Sequence, residues 1–261
     1  MTTLTLLQGG LGLASGSLVG FSLGLVGGGG SILAVPLMVY LVGIGDAHLA
    51  IGTSAVAVAA NAAANLATHA RQGTVKWPCA SVFAAAGATG ALAGSTVGKI
   101  VDGQQLLALF AVLMMVVGVL MLRKRAGEGD LGVRLNRGNL PKLLGVGLGA
   151  GALSGFFGIG GGFLIVPGLM LATGMPILNA VGSSLVAVTA FGLTTAANYA
   201  VSGLLDWGLA AVFIAGGIVG GLIGARSARG LSAHRGALST VFAGLIFVVA
   251  TYMLVRSLGI V

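Results

Sequence analysis

The residues best placed to do chemistry lie in two glycine-rich runs: Gly24-Leu25-Val26-Gly27-Gly28-Gly29-Gly30-Ser31-Ile32-Leu33-Ala34-Val35-Pro36 and Gly155-Phe156-Phe157-Gly158-Ile159-Gly160-Gly161-Gly162-Phe163-Leu164-Ile165-Val166-Pro167. Seven of their 13 paired positions are identical. Glycine admits positive φ and close approach, so successive backbone N–H groups can turn toward one bound anion. A helix opening at each proline would add a positive dipole end of about half an elementary charge. The chemistry is recognition of an anion by neutral donors. The same glycines equally suit tight packing of membrane helices, and the runs alone leave both uses open.

A second set of polar residues follows each run. Ser54, Asn61, Asn65, Thr68 and Gln72 are spaced by seven, four, three and four and so share one helical face. The counterpart in the second half is Ser184, Phe191, Thr195, Asn198 and Ser202. Hydroxyls and amides can bond oxyanion oxygens without adding a full charge, or can simply bond neighbouring helices. Thr53 and Ser183 sit beside the first stripe members. The expected binding set is Gly27, Gly28, Gly29, Gly30, Ser31, Thr53, Ser54, Asn61 and Asn65, with Gly158, Gly160, Gly161, Gly162, Ser183, Ser184, Thr195 and Asn198. His69 and Tyr199, one residue past the stripes, suit interfacial anchoring better than catalysis.

Other chemistries find little support. Asp46, Asp102, Glu128, Asp130 and Asp206 all fall in loops or at segment ends, so the usual intramembrane carboxylate for proton or sodium coupling is missing. Passive passage, the substrate's own protonation and sodium held by carbonyls all fit. Three histidines without clustered acids and the single Cys79 give no metal or cofactor site. No Lys-Ser/Thr follows either glycine run, so nucleotide binding is not expected. No catalytic constellation is present, which leaves an embedded enzyme the weakest class.

The elements that position these residues belong in a bilayer. The chain of 261 residues is 57% hydrophobic and only 7% charged. Its mean hydropathy is +1.08. Its net charge of +8 comes from cations between apolar runs, as in membrane loops, and does not indicate nucleic acid. The first 26 residues lack a basic n-region and a cleavage site, and the expectation is a retained first segment.

The signatures lie 131 residues apart, and an offset of 130 then pairs Gly52 with Gly182, Gly73 with Gly203 and Trp77 with Trp207. Each half therefore repeats an apolar segment ending at the glycines, a short one opening at proline and three long ones. They are expected at about Leu4–Val26, Ser31–Gly43, Ala47–Ala70, Trp77–Gly98 and Gln104–Leu122. In the second half they fall at about Leu143–Phe157, Phe163–Thr173, Ile177–Val201, Trp207–Ala225 and Arg235–Val255. The short segments span about 15 Å, half of a hydrocarbon core of roughly 30 Å. Glycines every fourth residue, as at Gly16/Gly20/Gly24 and Gly90/Gly94/Gly98, mark packing faces.

Charge placement then sets the topology. If each broken pair returns to its starting side, the halves are inverted and eleven Lys/Arg lie inside, with only Lys99 and Arg256 outside. If each pair crosses once, the halves are parallel and the split is nine to four. The first arrangement fits better. The fold expected is an all-α polytopic membrane protein of two inverted repeats, each a glycine-broken, re-entrant helix pair followed by three transmembrane helices. Its parts are a first repeat (1–122), a basic cytoplasmic linker (123–142) and a second repeat (143–261), with both termini outside.

The combination of Gly27 to Gly30, Val35-Pro36, Gly52-Thr53-Ser54, Gly73 and Trp77 with Gly158 to Gly162, Val166-Pro167, Gly182-Ser183-Ser184, Gly203 and Trp207 resembles the sulfite exporter TauE/SafE family. The resemblance spans about Leu11 to Leu258. It implies a bacterial-type inner-membrane permease, often an exporter, for sulfite, thiosulfate or organosulfonates. Its partners would be a small anionic substrate and the lipid bilayer, with self-association into a homo-oligomer and the coupling ion left open. Gly28 against Ile159 and Ser31 against Gly162 make the two runs unequal and point to an asymmetric site. The alternative function is a non-transporting membrane scaffold whose glycines serve packing. A reporter fused to the C-terminus is expected to be active only on the outer side; cytoplasmic activity would overturn the inverted arrangement.

Overall fold

The computed structural model describes residues 6–123, 129–130, 132–158, 160, 162–230, 244 and 247–256. Among them α1 (Leu6–Val26) leads into 3₁₀ turns over Gly27–Leu33, then α2 (Ala34–Pro36) and a π-helical turn over Leu37–Leu41. There follow α3 (Ala47–Arg71), α4 (Trp77–Gly98), α5 (Gly103–Arg123), α6 (Leu140–Phe157), α7 (Gly162–Thr173), α8 (Ile177–Val201) and α9 (Trp207–Gly230). A last described helix, α10, covers Phe247–Arg256. Much of the expected Arg235–Val255 segment lies outside the described residues.

Local chemistry sets these boundaries. Asp46 accepts from the N–H groups of His48 (2.8 Å) and Leu49 (3.3 Å) and caps α3. Asp102 caps α5 through Gln104 (3.0 Å), and Asp206 caps α9 through Leu209 (3.0 Å). At the far ends of α3 and α8, Gly73 and Gly203 adopt φ +69° and +71°. Thr74 N–H then returns to His69 O (3.3 Å) and Leu204 N–H to Tyr199 O (3.0 Å), the same left-handed stop in both halves.

Six helices, α1, α3, α4, α6, α8 and α9, are long and apolar enough to cross a membrane. They expose Leu92, Leu148, Leu193, Val219 and Leu222, a distribution suited to lipid rather than water. Trp77 and Trp207, also exposed, open α4 and α9 where amphipathic rings favour the headgroup level. This is an all-helical polytopic membrane protein.

Glycine decides which helices meet. A β-carbon at Gly16, Gly20 or Gly24 would overlap the carbonyls of Phe213, Gly217 and Gly221, and one at Gly216, Gly220 or Gly224 those of Leu13, Ser17 and Phe21. Helices α1 and α9 thus run in the same direction in backbone contact. Likewise α4 runs with α6: Gly90, Gly94 and Gly98 face Leu148, Ala152 and Phe156, while Gly151 and Gly155 face Gly87 and Ala91. Between these pairs α3 and α8 lie antiparallel, with Gly52 beside Tyr199 and Leu204, Gly192 beside Ala55 and Ala59, and Gly182 beside Thr74. Each of these contacts joins the first half to the second.

The prolines do not open the short arms as expected. Pro167 is inside α7, which begins at Gly162, and Pro36 ends α2, with helical turns starting at Gly27. At Pro167 the backbone forgoes one bond, to Phe163 O, a loss that a short arm packed against neighbouring helices tolerates. After Pro36 the chain restores its ladder with wider turns, Val42 N–H reaching Leu37 O at 3.0 Å. The dipole end of the second arm is therefore at Gly162, not at the proline.

Leucine at Gly94 should force the α4 backbone off Ala152 and destabilise the protein by about 3 kcal/mol. Leucine at the open, exposed Gly149 should shift stability by less than about 0.5 kcal/mol. Thermal unfolding in detergent checks the pair, and equal effects would contradict the packing described.

Candidate functional site

The two glycine segments meet inside the bundle, the 3₁₀ turns of the first packing on α7 and α8. They are built differently. In the first, Ser31, Ile32, Leu33, Ala34 and Val35 are all buried and no described residue has positive φ. In the second, α6 ends at Gly158 with φ +68° and Gly160 follows at +65°. A β-carbon at Gly160 would come within 2.9 Å of Val58 on α3 and 3.3 Å of Val188 on α8, and one at Gly158 would overlap Ile51. Positive φ and steric closure together leave only glycine at these two positions. Ile159 and Gly161 lie outside the described residues. So do the side-chain surroundings of Gly27, Gly28 and Gly29.

Val58 and Val188 are repeat partners, so Gly160 sits where the antiparallel α3 and α8 cross. Close by in sequence is Asn61, the fifteenth of the 25 residues of α3 and fully buried. Both of its side-chain amide atoms lack a hydrogen-bond partner, as does the buried hydroxyl of Thr195 on α8. A buried amide without partners costs about 1–3 kcal/mol, and such groups are few in native proteins. The Asn61 amide lies against the α-carbon of Gly217. Its repeat partner Phe191 occupies the equivalent place over Gly87 and stacks on Phe83 with ring centroids 6.2 Å apart. One half offers an amide where the other offers an aromatic ring.

The remaining expected residues fall elsewhere. Asn65 donates to Asn61 O (2.9 Å) and abuts Gly221. Ser54 and Ser184 donate back along their helices, to Ile51 O (3.0 Å) and Val181 O (2.7 Å). Thr53 Oγ1 accepts from Asp206 N–H (3.0 Å), and Ser183 Oγ accepts from Lys76 N–H (2.9 Å). Asn198 stands near the end of α8, donating to Ser95 Oγ (2.6 Å) and accepting from Lys99 Nζ (2.9 Å). His69 and Tyr199 are buried rather than at the lipid interface; His69 Nδ1 is 3.1 Å from Thr74 Oγ1.

Two buried hydroxyls without partners, Ser15 on α1 and Ser154 on α6, escaped the sequence reading. Ser15 shares α1 with Gln8, Ser17 and Ser22 and stands seven residues from both Gln8 and Ser22, a helical spacing, whereas Ser154 is the one uncharged polar residue of α6. Ser154 immediately precedes Gly155, the first residue of the second signature, which was the available clue. The described carboxylates of Asp46, Asp102 and Asp206 face helix N-termini at α3, α5 and α9. Among the described residues the crossing region offers neutral groups: the Asn61 amide, the Thr195 hydroxyl and left-handed glycine backbone.

The sulfite exporter TauE/SafE family model matches residues 12–253. Among curated relatives, a protein of Xylella fastidiosa (strain 9a5c) described as "Probable membrane transporter protein" is 53% identical, over 94% of each chain. One of Haemophilus influenzae with the same description is 30% identical over 75% of this chain and 74% of its own. YunE of Bacillus subtilis, similarly described, is 26% identical over 82% and 85%. No solved structure matches the chain. Signature, bundle and relatives agree: this chain belongs to the sulfite exporter TauE/SafE family of membrane transporters.

Proposed function

We propose that the protein is a permease for a small sulfur-containing anion, sulfite, thiosulfate or an organosulfonate, exported by alternating exposure of a site where α3 and α8 cross. The observation that carries this is the unpartnered Asn61 amide, fully buried near the middle of a membrane helix. Hydrogen-bonding capacity left unmet in a transporter interior is best explained by a solute that meets it. Thr195, Ser31 and the backbone around Gly158, Gly160 and Gly162 complete the proposed shell, and α7 directs its positive end toward it. Neutral donors suit an oxyanion and give a cation no counter-charge.

Helix directions support inverted halves. The repeat partners α3 and α8 are antiparallel in contact, as a two-fold axis lying in the membrane plane requires. The same axis exchanges the pair α1 and α9 with the pair α6 and α4. Gly168 of α7 packs on Val146 of α6, consistent with an arm that returns to the side where α6 began. On this reading both termini are outside an inner membrane, and the segment 123–142 is cytoplasmic.

Asn61→Leu keeps the side-chain bulk, removes the unmet amide and should leave the fold as stable or more stable by about 1 kcal/mol. Flux of sulfite, thiosulfate or a short sulfonate into liposomes holding the purified variant should fall about 10- to 100-fold, the loss of one hydrogen bond to a charged solute. Loss of stability with unchanged flux would assign Asn61 to packing. No flux of any of these anions by the unaltered protein would defeat the permease reading.

A further inference from the structure

The paired Gly-Thr-Ser and Gly-Ser-Ser triplets are not explained by the site, and their contacts run between the halves. In α3, Gly52 gives room to Leu204 O and Thr53 Oγ1 accepts from Asp206 N–H at 3.0 Å. In α8, Gly182 gives room to Thr74 and Ser183 Oγ accepts from Lys76 N–H at 2.9 Å. By the 130-residue offset Thr53 corresponds to Ser183, Asp206 to Lys76 and Leu204 to Thr74. The same clasp has been built twice. Because α3 and α8 are antiparallel, the two copies lie at opposite ends of the bundle.

Each clasp joins the N-terminal part of one helix to the loop before the fourth helix of the other half, α9 at one end and α4 at the other. In each, a loop N–H reaches a hydroxyl acceptor, and the glycine beside that hydroxyl leaves room for the loop. The Ser183 end has one more tie, Asn179 Nδ2 donating to Thr74 O at 2.9 Å; its repeat partner is Leu49, which cannot donate from its side chain.

We propose that Thr53 and Ser183 are latches, one per membrane face, which hold the two ends of the transport path shut in turn. The inference rests on alternating exposure, not on the identity of the solute. Both latches are closed here, so this conformation is occluded. Opening toward one face breaks the clasp at that face and keeps the other, and the hydroxyl acts as a positioning group without touching the solute.

The test uses the full-length protein in liposomes with Cys79 replaced by serine. A single cysteine is introduced at Leu205 or at its repeat partner Val75, one in each latched loop, and its rate of reaction with a membrane-impermeant thiol reagent is followed. Thr53→Val should raise the Leu205→Cys rate about fivefold, the worth of one hydrogen bond, and leave the Val75→Cys rate unchanged or lower. Ser183→Ala should do the reverse. Thr53→Ser and Ser183→Thr, each the residue that the other half carries, should restore the original rates and separate lost hydroxyl from misfolding. Equal rises at both loops, or no rise at either, would overturn the proposal. No substrate enters this measurement: one-sided labelling without anion flux retains the latches and discards the permease reading, while flux with unmoved labelling does the opposite.

Discussion

Hydrocarbon offers no hydrogen-bond partner, so every N–H and C=O that leaves a regular helix within this bundle needs protein around it. Both glycine segments obey that constraint. The first never quite leaves the helix: 3₁₀ turns, one turn of α2 and a π turn keep its backbone internally bonded through Leu41. The second does leave, at Gly158 and Gly160, and there Ile51, Val58 and Val188 close over it. Enclosure is what makes the break affordable, and it fixes where α3 and α8 must cross.

That enclosure depends in turn on the outer pairs. Lipid tails are as apolar as leucine, so helices α1 and α9, or α4 and α6, gain little from burying hydrophobic surface against each other. They gain from close backbone approach, with carbonyl oxygens of one helix lying over glycine α-carbons of the other, where weak Cα–H···O contacts add to dispersion. Both pairs take one helix from each half. Neither half therefore owns a core, and the repeat is a structural duplication within one interlocked unit. Any relative motion has to preserve contacts that tolerate no intervening side chain.

Much of this was legible in the sequence because the signals are local. Trp77–Gly98 and Ile177–Val201 fall at the expected residues, since Gly73 stops the helix before the first, Gly203 stops the second, and Asp46, Asp102 and Asp206 begin others. Four-residue glycine spacing likewise named packing faces before their partners were known. Proline misled, because its preference for the first helical turn says nothing of a short arm whose neighbours absorb a missing bond. The polar stripes were misread in part for a related reason. Periodicity assigns Asn61, Asn65 and Asn198 to a face but not that face to a neighbour: Asn65 meets Gly221, whereas Asn198 meets Ser95 and Lys99. Thr53 and Ser183 bond loops more than 100 residues away, a relation that no helical period encodes.

The duplication makes one departure from symmetry informative. At the crossing of α3 and α8, the place over a glycine of the fourth helix is filled by Phe191 on one side and Asn61 on the other. At the Phe191 position the ring stacks on Phe83, so the equivalent packing over Gly87 is met without an amide. An amide without partners is worse than neutral for stability, because its hydration is lost and nothing replaces it. The proposed solute site rests on this buried amide without partners. Of the described carboxylates, Asp46, Asp102 and Asp206 stand at helix starts and Asp130 in a loop, so none gives a cation a counter-charge at Asn61. On the proposed permease reading, discrimination at this position rests on hydrogen-bond geometry, which distinguishes a solute with several acceptor oxygens from a spherical anion of the same charge.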